Sequence, residues 1–154
     1  MSMPPVPPVE EQESIRVEVE VEVKASAERV WSALTENLGN WVDLSAEQPM
    51  HLKLEPWVGG RYFRDLGEGS GHLWGFVQVY KPPKLLELWG PMFVSTPSLS
   101  HIQFRLEEEN SGTRVRLVHL GIGMIAEEFR AGAKGGWDDF MTKGLKAYVE
   151  RDTD

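Results

Sequence analysis

The chain has 154 residues, 41% of them hydrophobic and 26% charged, and a net charge of −8 at pH 7. That is enough for one domain with a buried core and an internal pocket, and the acidic balance, with no run of Lys or Arg, argues against nucleic acid or anionic membrane as partners. The absence of Cys removes disulfides and thiolate chemistry and fits a cytoplasmic location. No secretory signal and no apolar stretch of about 18 residues that would span a membrane is read from it.

Residues 1–14 (MSMPPVPPVEEQES) are Pro-rich and then acidic, which reads as a flexible, extended tail or a Pro-rich docking peptide before a single domain over 15–151. In Ile15–Lys24, Ile15, Val17, Val19, Val21 and Val23 alternate with charged residues, so a strand over this stretch puts five apolar side chains on one face. Ser26 is placed to cap a short amphipathic helix carrying Val30, Trp31, Ala33 and Leu34. A second short helix is expected near Glu36–Val42, with Trp41 pointing inward. Strands are expected near His51–Leu54, Gly60–Leu66, Gly71–Tyr80, Leu85–Trp89, Leu99–Leu106 and Thr113–Leu120, with turn signals such as Asn110-Ser111-Gly112 between them. In Glu127–Arg151, Phe129, Ala133, Trp137, Phe140, Met141, Leu145, Tyr148 and Val149 recur in steps of three and four, the spacing of an amphipathic helix. Gly132, Gly135, Gly136 and Gly144 sit inside it, each costing about 1 kcal/mol against Ala, and a break near Gly132–Gly136 is the alternative.

Four stretches carry a family resemblance: Ala25 to Thr35 (with Val30, Trp31 and Leu34), Gly59–Arg61, Gly75–Pro83, and Gly136–Trp137. Through them the chain resembles the helix-grip, START-like superfamily (SRPBCC), and is most similar to the branch named after the activator of the 90-kDa heat-shock protein ATPase. The resemblance implies an α+β fold. In it a curved antiparallel sheet of about seven strands wraps around a long C-terminal helix, two short helices follow strand 1, and an apolar cavity lies between sheet and helix. Aligned on that pattern, Gly75, Val77 and Val79 face the helix. Trp74, Phe76, Leu85 and Trp89 then lie on the outer face, where a sheet-face homodimer is one consequence.

The aromatic set Trp41, Trp57, Phe104, Phe129, Trp137 and Phe140, with Leu117 and Met141, is the candidate lining for a lipid-, sterol- or polyketide-like ligand. His119 shares the parity of Val115 and Leu117 and is the one candidate for acid–base chemistry in such a cavity; a buried, hydrogen-bonded histidine is the plainer reading. Arg61 and Arg64 are candidates for holding a ligand carboxylate at the cavity mouth, against pairing with Asp65 or Glu68. No metal-ligand spacing, nucleophile elbow or phosphate loop is present in the sequence, so no metal and no cofactor are expected. Three functions follow as expectations: a binder of a small hydrophobic molecule, a cyclase- or hydrolase-type enzyme using cavity acid–base residues, or an interaction protein of a chaperone ATPase.

Overall fold

The computed structural model describes residues 13–45 and 48–151. The expected tail, apart from Glu13 and Ser14, therefore lies outside the described residues. Strand β1 runs over Glu13–Val23 and buries the five alternating apolar residues read from the sequence. Ser26 caps helix α1, Ala27–Thr35, by accepting from the Arg29 N–H at 3.3 Å. The expected second helix is two short 3-10 turns, Leu38–Asn40 and Val42–Ser45, and Trp41 between them is fully buried.

The remaining strands are β2 (Leu52–Leu54), β3 (Arg61–Gly67), β4 (Ser70–Lys81), β5 (Leu85–Gly90), β6 (Ser98–Glu109) and β7 (Gly112–Gly123). They form one antiparallel sheet in the order β1-β7-β6-β5-β4-β3-β2. The meander from β2 to β7 is thus completed by the first strand docking on the last. Inward residues such as Leu86, Leu88, Ile102, Phe104, Val115 and Leu117 are buried beneath the C-terminal helix.

That helix is continuous. It comprises α2 (Glu127–Asp139), a π-helical stretch (Phe140–Lys146) and α3 (Ala147–Arg151). The buried residues Trp137, Met141, Leu145 and Val149 are spaced by four. In an unbroken α-helix that spacing drifts by ~40° per step. Local widening to π geometry keeps the four on the sheet-facing side.

Two expectations about the sheet faces are corrected. Tyr62 pairs with Gly75 and Phe63 with Leu73, so Trp74 is an extra residue on β4. This bulge turns Trp74 inward, where it is 7% exposed. A second register shift, at Gln78, places Val79 opposite Glu87 on the outer face. It also turns Tyr80 inward, 5.4 Å from Trp31. Phe76, Leu85 and Trp89 do face outward. Phe76, Trp89, His101 and Leu120 form a row across four strands, with Leu99 and Ile122 paired beside it.

Candidate functional site

At the β2–β4 end of the sheet, the helix stands away from the strands and leaves a cavity of about 340 Å³. Leu52, Tyr62 and Trp74 form its sheet wall; Phe129, Ala133, Trp137 and Phe140 form the helix wall. Val42, Met50 and Phe93 close its ends. Glu128, Gly132 and Gly136 lie along one stripe of α2 at the mouth, with an i, i+4, i+8 spacing. A methyl group added at Gly132 or Gly136 would meet nothing within 4 Å, so the two glycines strip the helix face and leave the mouth open.

The bulge at Trp74 builds much of this site. Its indole packs edge-on against Tyr62 at 5.8 Å and against Phe93 at 4.7 Å. Phe93, from the β5–β6 loop, also contacts Phe129 at 5.6 Å and Trp137 at 5.8 Å. It bridges sheet and helix across one end of the cavity. A second, very small void borders Tyr62, Phe104 and Phe140 deeper in the core.

Of the residues expected to line a cavity, Phe129, Trp137 and Phe140 do so. Trp41, Phe104, Leu117 and Met141 are buried, and none of them borders this apolar cavity. Trp41 supports Phe140 edge-on at 4.8 Å and donates its indole N–H to the Ala33 carbonyl at 2.8 Å. Phe104 supports Trp137 at 6.3 Å.

Trp57 and Arg61 fall outside the site, contrary to expectation. Trp57 is 55% exposed in the loop before β3. The Arg61 guanidinium forms two hydrogen bonds to the Glu55 carboxylate, at 2.8 and 2.9 Å, and lies 4.4 Å from the Phe63 ring on the outer side. Hydrogen bonds from the Arg61 side chain and backbone hold the Glu55 carboxyl down to about 2. Arg64 donates to the carbonyls of Met50 and Pro49. Among the described residues, no Lys, Arg or His lines the cavity.

His119 points inward, as its parity predicts, and is fully buried, but does not border the cavity. Trp137 Nε1–H donates to its Nδ1 at 3.0 Å. The ring proton therefore resides on Nε2, 2.8 Å from Ser100 Oγ, which accepts it. Burial pulls the imidazole down to about 4 and keeps it neutral. His101 pairs instead with Glu87 at 2.7 Å on the outer face.

Tyr62, Trp74 and Phe93 are the site residues missed from sequence. Tyr62 lies between two residues, Arg61 and Phe63, of which one is also aromatic, so alternation does not settle its face. Trp74 required a bulge, and Phe93 sits in a loop without periodicity.

A seven-stranded antiparallel sheet gripping a long C-terminal helix, with an apolar cavity between them, defines a helix-grip protein. The family model described as activator of Hsp90 ATPase homolog 1-like protein matches residues 24–150, and the chain belongs to that family. A solved structure from Mesorhizobium loti is 26% identical with a TM-score of 0.69, the match covering 90% of this chain and 98% of that one. An uncharacterised protein from Rhizobium leguminosarum is 18% identical with a TM-score of 0.72, over 92% and 98% of the two chains. DynU16, from the dynemicin biosynthetic locus, is 22% identical with a TM-score of 0.59, over 88% of this chain and 47% of its own. No curated protein matches the sequence significantly.

Proposed function

We propose that the protein binds a small hydrophobic molecule in the cavity between α2 and the β2–β4 end of the sheet. The observation that carries this reading is a void of about 340 Å³ walled almost wholly by apolar and aromatic side chains. Its size and lining are those of small-molecule sites, which bury most of an apolar ligand and orient it with few polar groups. The open glycine stripe supplies an entrance. The two engaged nitrogens of His119 favour binding over acid–base turnover, because neither is free to exchange a proton with the cavity contents.

The test is a melting-temperature screen against neutral lipophilic compounds and an organic extract of the source cells. A ligand that binds only the folded state raises the midpoint with concentration. A screen in which nothing shifts it removes the reading. Native mass spectrometry of protein purified from those cells would identify a co-purifying ligand by its mass.

The reading includes a homodimer through the outer sheet face, favoured by the exposed Trp89 and Leu120, with half-buried Phe76 in the same row and exposed Leu99 and Ile122 beside it. It also places the protein in the cytoplasm, where a chain without Cys meets no conflict with a reducing environment. Light scattering across a concentration series tests the dimer, and Trp89→Lys should shift it to monomer.

A further inference from the structure

We infer that the ligand is neutral and carries a hydrogen-bond acceptor of the carbonyl type, which takes the proton of the Tyr62 hydroxyl; this rests on the binding reading above. Tyr62 is 4% exposed and borders both the apolar cavity and the small void behind it. Among the described residues its hydroxyl has no hydrogen-bond partner, while no buried side-chain polar atom is both sealed from solvent and unpartnered. The hydroxyl is therefore not sealed off, and the spaces that Tyr62 borders are these two voids. An unpartnered donor in a buried apolar wall is costly unless something in the cavity accepts from it.

Position and protonation both suit this role. Tyr62 is held in register between Leu54 and Gly75, and Gly75 has no side chain to crowd the ring. Trp74 braces the ring edge-on. Burial raises the phenol's pKa, so it remains a donor throughout the physiological range. The charge of the ligand follows from the remaining lining. Glu128 stands at the mouth and, among the described residues, no cationic side chain borders the cavity, so a carboxylate or phosphate would enter past a negative charge and find no counter-ion.

The experiment is calorimetric titration of 9-fluorenone and fluorene, rigid tricycles that differ in one carbonyl oxygen, into the wild-type protein and Tyr62→Phe. The wild type should bind fluorenone about fivefold to tenfold more tightly than fluorene, the size of one well-made neutral hydrogen bond. In Tyr62→Phe the ratio should fall to about one, with fluorene bound at least as tightly as before. Because the lost hydroxyl has no protein partner, the variant should melt no lower than the wild type. Equal affinities in the wild type, or a preference that survives in Tyr62→Phe, overturns the role of Tyr62 and leaves the binding reading standing. If neither compound binds either protein, the inference falls, and the broader lipophilic screen then decides the binding reading separately.

Discussion

Trp137 donates its indole N–H to Nδ1 of His119 at 3.0 Å. One face of the same indole region lines the cavity while its nitrogen is tied to the sheet, so the imidazole sets the orientation of a cavity wall. The bond requires an unprotonated Nδ1. Protonating His119 would set two N–H groups against each other in a buried space.

This gives a pH dependence with a defined sign. His119 is depressed in the folded protein from about 6.5 to about 4. The unfolded chain therefore takes up the proton first as pH falls. Stability is complete above the unfolded value and declines as pH drops from 6.5 towards 4. Between pH 7 and pH 5 the wild type should lose about 2 kcal/mol through this group. Urea midpoints of wild type and His119→Gln at the two pH values check it. The variant, which can still accept from Trp137 and donate to Ser100, should show a distinctly smaller loss.

The bulge makes two tryptophans unequal. Trp74→Ala should destabilise by about 3 kcal/mol, because it empties a packed position between Tyr62 and Phe93. Trp57→Ala, at an exposed position, should stay within about 0.5 kcal/mol of wild type. Denaturant unfolding of the two variants separates them; similar values would place Trp74 on the outer face after all.

Gly135 is exposed on α2, and a methyl group there meets nothing within 4 Å. Gly135→Ala should raise stability by about 1 kcal/mol through helix propensity alone. It lies off the cavity lining, so ligand affinity should not change. Thermal melts with and without ligand measure both effects.

Arg61 is bound to Glu55 outside the cavity. Arg61→Ala should therefore leave the affinity for neutral lipophilic compounds unchanged. It should not weaken fatty-acid binding relative to wild type either, as titration of both ligand classes would show.

Where one periodicity runs uninterrupted, the fold was legible. The alternation of Ile15 to Val23 placed β1 and its buried face, and Val115, Leu117 and His119 kept theirs in β7. The helix was legible because Trp137, Met141, Leu145 and Val149 recur regularly, although their spacing of four concealed the π-helical stretch. The site was legible only on the helix. Its other wall depends on an extra residue in β4 and a ring from an irregular loop. Strict alternation does not hold across a bulge, which is why it puts Trp74, the extra residue, and Val79, just past the second shift, on the wrong faces. Arg61 was misjudged for a different reason: its partner, Glu55, lies across a loop whose course the sequence does not disclose.

The most direct test of a ligand-binding cavity at the glycine stripe of α2 is a fluorescence titration with N-phenyl-1-naphthylamine, a neutral apolar probe, into wild type and Gly136→Leu. A Cβ at this position borders the mouth and meets nothing within 4 Å, so a larger side chain starts from open space there. Saturable one-to-one enhancement in the wild type, abolished in a variant that melts at or above the wild-type temperature, is the predicted result. No saturable binding in the wild type, or equal binding in Gly136→Leu, would contradict the account.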